Sequence, residues 1–275
     1  VSASAASKGE RQTSEDGEMK TLTGKIVWVT GAGTGIGRAG ARALAEAGAV
    51  VVLSGRRTQQ LDDVAASIEK SGGTAEIAPL DIADAQAVDA VVADIVKRHG
   101  RLDMVINSAG LNVPKRKWRE ISNADLNKVI DVDLVGAFNV CHAVLAPMRA
   151  QRDGLIVNVS SMASQRVGGV SGFAYTAAKT ALNALNESIN HEHCHLGIRA
   201  CALCPGEVAT EILANRPMPP SAEDQARMVQ EDDVGRTILF IAETPAHVCL
   251  NEVHITPTWN RGYIGAADRV FPRDD

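Results

Sequence analysis

From residue 25 onward, short runs rich in β-branched residues alternate with Ala-rich stretches of helix length, and this alternation constrains the fold more than any other feature of the chain. The strand-like runs are IVWVT at 26–30, VVVL at 50–53, EIAPL at 76–80, MVIN at 104–107 and LIVNVS at 155–160, with two more expected at 199–203 and 253–256. Fully apolar strands separated by helices point to a parallel sheet covered on both faces, because each crossover helix has a stripe to bury. The expected fold is α/β, a single doubly wound domain with a parallel sheet of about seven strands. A length of 275 residues suits one such domain. No internal repeat or interdomain linker interrupts 22–275. Residues 1–21, rich in Ser, Ala, Glu and Gly and beginning without Met, are expected to be a disordered leader. The stretch 205–230, with Pro217, Pro219 and Pro220, is expected to be a substrate loop or lid.

Charge and composition exclude several functions. A net charge of −5 offers no attraction to nucleic acid or to anionic lipid, and no segment reads as an uninterrupted membrane span. Only three Trp, two Tyr and four Phe leave little for base-stacking platforms, so a small molecule is the expected partner. Five cysteines, an odd number without dense even spacing, point to a reducing, cytoplasmic setting. Cys201 and Cys204 form a C-x-x-C on an expected strand, where positions three apart face opposite ways, so neither a redox pair nor a metal site is expected there.

Chemistry begins at the first strand-to-helix crossing, TGAGTGIG. Thr30, Gly31, Gly35 and Gly37 complete a T-G-x-x-x-G-x-G pattern, with Gly33, Thr34 and Ile36 inside it. Such a turn lets the backbone approach a pyrophosphate, whose charge meets free N–H groups at the helix start. The second strand is followed by Arg56 and Arg57 and carries no acid for a ribose hydroxyl. Two guanidiniums suit a 2′-phosphate, so NADP(H) is the preferred cofactor and NAD(H) the alternative.

Tyr175 and Lys179 lie four apart in a segment of helical periodicity and so share a face. A cation beside a phenol favours phenolate, which makes the pair an acid/base device. Ser161 follows the fifth strand, at the sheet edge where α/β folds place ligands, and is suited to hydrogen-bond a reacting oxygen.

These residues together resemble the short-chain dehydrogenase/reductase family over 22–258. TGAGTGIG, NSAG at 107–110, VNVSS at 157–161, YTAAK at 175–179 and PGEVAT at 205–210 stand in that family's order. The resemblance implies a Rossmann-like fold, with Tyr175 as proton donor or acceptor, Lys179 on the nicotinamide ribose and Ser161 orienting the carbonyl. It also implies that Asp81 and Ile82 meet the adenine, and that Asn107, Ala109 and Gly110 support the cofactor pocket. Pro205, Gly206, Val208 and Thr210 would lie at the carboxamide end. It implies dimers or tetramers through helices near 126–150 and 174–195. The family's usual asparagine facing the lysine is here Asp133; asparagine both donates and accepts, whereas an ionised Asp can only accept, so a water relay or an ion pair to Lys179 is open. The Ser161–Tyr175 interval is one residue longer than the common arrangement, which keeps Ser160 and Ser164 as lesser candidates.

The expected activity is hydride transfer between NADP(H) and a secondary alcohol or carbonyl. The alternatives are a 3-oxoacyl or sugar/polyol reductase using NAD(H), and a non-catalytic NADP-binding sensor suggested by Asp133. The C-terminal run ETPAHVCLNEVHITPT resembles the branch containing NADP-dependent 3-hydroxy acid and serine dehydrogenases. His191, Glu192, His193, Cys194 and His195 suit a helix end better than a metal, and no metal is expected. Lys115, Arg116 and Lys117 read as a solvated loop, while Asn112, Arg166 and Glu207 flank the expected site.

Overall fold

The computed structural model describes residues 21–261 and 263, so most of the expected leader lies outside the described residues. In chain order the elements are β1 (Ile26–Thr30), α1 (Gly35–Glu46), β2 (Val50–Ser54), α2 (Thr58–Lys70), β3 (Thr74–Ile77), α3 (Ala85–His99) and β4 (Met104–Asn107). There follow α4 (Asn123–Ile130), a π-turn (Asp131–Gly136), α5 (Ala137–Gln151), β5 (Gly154–Val159), α6 (Phe173–His193) and β6 (Ile198–Pro205). The chain continues through β7 (Val208–Ala209), α7 (Ala222–Ala226), β8 (Val229–Gln230), α8 (Glu231–Glu243) and β9 (Glu252–Ile255).

Seven strands form one parallel sheet in the order β3-β2-β1-β4-β5-β6-β9, as the alternation predicts. Each strand alternates its side chains between two cores. Val27 and Val29 face the layer of α1, α2 and α8, where Leu44, Leu61 and Ile238 are fully buried. Ile26 and Trp28 face α3, α5 and α6, against Ile95, Val144 and Ile189. Trp28 is the largest side chain in that layer and keeps its polar atom satisfied, donating from Nε1 to Ser54 Oγ at 2.8 Å. Ser54 in turn donates to the carbonyl of Ala78 at 2.6 Å.

Two boundaries differ from expectation for local reasons. β3 starts at Thr74 and its ladder ends at Ile77, although Ala78 and Leu80 still donate to Leu53 and Gly55 at 2.9 and 3.1 Å. Pro79 between them sits on the edge strand at a position whose N–H would face away from β2, so these two bonds to β2 run on past the end of the regular ladder. In 205–230, β7 pairs with β8 and ties together the two ends of the excursion, which holds a 3₁₀ turn (Glu211–Asn215) and α7.

The continuous helical run Asn123–Gln151 is long and apolar enough to cross a membrane by length and composition alone, with a mean hydropathy of 1.6 over an 18-residue window, but Asp131, Asp133, Asn139 and His142 interrupt it, so it is not an uninterrupted apolar span. Half of that window is buried, because α5 packs on α3 and β5, as a core helix does. All five cysteines are free.

Candidate active site

The sheet order reverses between β1 and β4, so the crossovers leaving these strands run to opposite faces and open a crevice at their carboxyl ends. The glycine turn lies in that crevice. Gly31 has φ +64°, and a Cβ there would stand 2.8 Å from the backbone of Ala109, so only glycine lets the β1 and β4 ends approach so closely. A Cβ on Gly37 would stand 2.3 Å from the carbonyl of Gly31. Helix α1 starts without a side-chain cap and has no acidic residue in its first turn. Its free N–H groups and positive dipole end therefore have no competing carboxylate in that turn, and the residues present fit a pyrophosphate.

Thr30 is fully buried and ties the two strand ends together. Its hydroxyl donates to Asn107 Oδ1 at 3.1 Å and accepts from the N–H groups of Ser108 and Ala109 at 3.1 and 3.2 Å. Asn107 donates onward to Asn158 Oδ1, and Asn158 to Asn186 Oδ1, at 3.2 and 3.1 Å. This buried amide chain runs from β4 through β5 to α6. Asn158, a polar residue within an apolar strand, was the signal that could have revealed it.

Arg56 and Arg57 are exposed at the start of α2, and Arg56 lies 3.7 Å from Asp81. Ile82 is buried against the π-turn at Gly136. Pro205 ends β6, and the N–H of Gly206 donates to Ile255 at 2.8 Å. Val208 is buried on β7, while Thr210 packs over Gly35 of the glycine turn.

Ser161, Tyr175, Lys179 and Asp133 converge beside this crevice. Ser161 caps the turn after β5 and accepts from the N–H of Ala163 at 3.1 Å. Lys179 is buried; its Nζ donates to the carbonyl of Val159 at 3.0 Å and lies 5.6 Å from the Tyr175 ring centroid. Ser160 instead turns inward, donating to Asn183 Oδ1 at 2.5 Å, and Ser164 donates to the carbonyl of Ser161 at 2.6 Å.

Asp133 is fully buried on the π-turn, which inserts it beneath Lys179. One oxygen accepts from the N–H of Leu111 at 2.8 Å; the other has no hydrogen-bond partner and stands 3.8 Å from Lys179 Nζ. Gly110 lies against both side chains. Burial pushes the Asp133 carboxyl up to about 6, with Lys179 and the Leu111 N–H pulling the other way. The Tyr175 phenol is also raised, first by burial and then by the Asp133 charge, while Lys179, a Ser161 hydrogen bond and Arg116 oppose the rise.

Arg116 corrects the solvated-loop reading of 115–117. Lys115 and Lys117 are exposed, but Arg116 is only 6% exposed. Its guanidinium donates at 2.8 Å to each of the carbonyls of Val113, Val170 and Asn215, on three different loops. Burial and the nearby Arg216 lower its pKa, and its charge still acts on Tyr175. Nothing in the run KRK distinguishes the middle residue, so sequence reasoning had no signal for it. Asn112 donates to Ser171 at 2.9 Å, Arg166 is exposed, and Glu207 is held by Arg216 and Arg261 at 2.6 Å each.

The sheet, its crevice and this cluster define a nucleotide-dependent α/β oxidoreductase. Residues 25–219 match the family model described as short chain dehydrogenase, and the chain belongs to that family. It is 32% identical over 239 residues to an uncharacterized oxidoreductase of Staphylococcus aureus (strain MW2), covering 87% of this chain and all of the relative. Among solved structures, an alcohol dehydrogenase from the archaeon Thermococcus sibiricus, complexed with 5-hydroxy-NADP, superposes with a TM-score of 0.77 at 27% identity, covering 86% of this chain and 98% of that one. A serine dehydrogenase complexed with NADP+ gives a TM-score of 0.77 at 26% identity, covering 84% and 94%. The protein is an NAD(P)-dependent oxidoreductase of the short-chain type.

Proposed function

We propose that the protein interconverts a secondary alcohol and a carbonyl with NADP(H), Tyr175 moving the proton and Ser161 holding the reacting oxygen. The observation that carries this reading is the convergence of Ser161, Tyr175 and buried Lys179 at the sheet edge beside the uncapped start of α1. When bound, the nicotinamide supplies or accepts the hydride. In reduction, the Tyr175 phenol donates its proton to the carbonyl oxygen while the Ser161 hydroxyl stabilises the charge building there; in oxidation the phenol oxygen takes that proton back. A raised phenol pKa keeps Tyr175 protonated at neutral pH, which suits reduction. Lys179 holds the opposing positive charge, and Asp133 partly cancels it.

The preference for NADP(H) rests on exposed Arg56 at the end of β2, and it agrees with the NADP-type cofactors in the two solved structures above. Assembly as a homodimer or homotetramer rests on Val135 and Phe138, which stand 42% and 51% exposed along the α4–α5 run. Sedimentation velocity reads that directly: a Phe138→Glu variant is expected to shift to the monomer, and an unchanged profile removes this face from the assembly.

The decisive assay is NADPH consumption across a panel of small ketones, oxo acids and sugars. Tyr175→Phe is expected to lower kcat by about 100-fold or more while leaving cofactor binding intact. Tight NADPH binding with no turnover on any substrate would instead establish a sensor.

A further inference from the structure

β6 and β9 bring together three side chains that the alcohol/carbonyl chemistry does not use. In the parallel register of these strands Cys204 lies opposite His254, and Ala202 opposite Glu252. Side chains two apart on a strand share a face, so Cys204, Glu252 and His254 all project from one side of the sheet, toward α6. Their donor atoms lie within 4.8 Å of one another. Cys204 Sγ is 3.4 Å from Glu252 Oε1, which is 2.6 Å from His254 Nε2.

We propose that Cys204, Glu252 and His254 form a binding site for a borderline-soft divalent cation of the zinc class. The donor set of one thiolate, one imidazole and one carboxylate is what such an ion takes, and it leaves a fourth position for water. Tetrahedral bonds of the usual length place neighbouring donors about 3.3 to 3.6 Å apart. The sulfur-to-carboxylate edge has that separation already. The carboxylate-to-imidazole edge needs to open by less than about 1 Å. Glu252 and His254 side chains are 38% and 45% exposed, so they are free to adjust and give the ion a way in. Cys204 is fully buried at the floor.

The Cys204 thiol faces the Glu252 carboxylate at 3.4 Å, at the separation two ligands of one ion would have. When a divalent ion binds, the thiol proton leaves to solvent as the sulfur–metal bond forms. Outer groups are also in place. Asn183 directs its amide N–H groups at Glu252 Oε1 and Cys204 Sγ, at 3.4 and 3.7 Å, and Gln165 donates to the same Glu252 oxygen. Asn183 also accepts from Ser160, and its amide nitrogen lies 3.1 Å from Ser164 Oγ, so its two N–H hydrogens are shared among three acceptors and link the site to the turn that carries Ser161.

Cobalt(II) titration of the intact protein tests the site without reference to turnover, so its failure leaves the reading of Tyr175 untouched. The expected result is one cobalt per chain, with a thiolate-to-metal charge-transfer band and intense tetrahedral visible bands, both removed by competing zinc. Cys204→Ser is expected to abolish the charge-transfer band, and Glu252→Gln and His254→Asn to weaken affinity by about tenfold or more each. An unchanged NADPH-induced rise in melting temperature verifies that each variant is folded. If Cys204→Ser does not fold, the other two substitutions, on half-exposed side chains, decide. Absence of the charge-transfer band in the parent, its persistence in a folded Cys204→Ser, or affinity unchanged in both Glu252→Gln and His254→Asn overturns the site.

Discussion

Asp133 is a single residue whose charge reaches Tyr175, the group proposed to carry the proton. Above a pH of about 6 its carboxyl is ionised against Lys179, and that negative charge is one of the forces holding the Tyr175 phenol up. Below that pH the carboxyl takes a proton, and the ammonium acts on Tyr175 unopposed. Asp133→Asn keeps the shape and removes the charge at every pH. Alcohol oxidation needs the deprotonated phenol, so its rate rises with pH through the Tyr175 pKa. The variant is expected to move that rise to lower pH, with reduction at neutral pH changed by less than about tenfold. A pH–rate profile of kcat/KM for parent and variant checks it; a rise at the same pH in both would show that Asp133 does not act on Tyr175. The motif order marks the place of Asp133, and the sequence is compatible with either a water relay or an ion pair there. The unpartnered oxygen 3.8 Å from Lys179 favours the ion pair, and the π-turn that sets this distance leaves no mark on the periodicity of 123–151.

Among the elements, strands were legible where residue type decided and less so where backbone chemistry intervened. MVIN at 104–107 is read without error because its four side chains are all buried. β3 is displaced from the apolar run at 76–80 because its regular ladder starts at Thr74 and ends at Ile77, boundaries set by backbone pairing that apolar content does not mark. Loops carried less signal still, and Arg116 shows why: its partners are backbone carbonyls at 113, 170 and 215, and carbonyls have no sequence identity. Those bonds clasp the loops after β4, β5 and β6 around Tyr175. Arg116→Met removes the donor from three carbonyls, of which that of Val113 is buried and those of Val170 and Asn215 are on exposed residues, and is expected to cost about 2 kcal/mol, read by urea unfolding. Arg116→Lys is expected to recover only part of it, because an ammonium lacks the planar fork that spans three acceptors. Equal stability of parent and Arg116→Met would mean that the loops hold without the clasp.

At the scale of the molecule, the alternation of strands and helices implies a parallel sheet, and the sheet's reversal between β1 and β4 opens the crevice proposed for the cofactor. Because the crevice is shared by the ends of β1, β4, β5 and β6, filling it is expected to stabilise the whole domain. NADPH at about 100 times its Kd should add about 2.7 kcal/mol. For a domain of this size that is a rise in Tm of roughly 5 to 10 °C. Arg56 is 60% exposed and beside Asp81, so in the free protein its positive charge is only partly matched and a 2′-phosphate has a partner to meet. Arg56→Asp replaces that partner with a like charge. The NADPH-induced rise in Tm is then expected to fall below the rise given by NADH at equal concentration, while the Tm of the free protein changes little, as for most exposed side chains. Thermal melts of parent and variant with each cofactor measure both quantities. An undiminished NADPH rise in the variant would move the 2′-phosphate site away from Arg56, with Arg57 the adjacent guanidinium to substitute next.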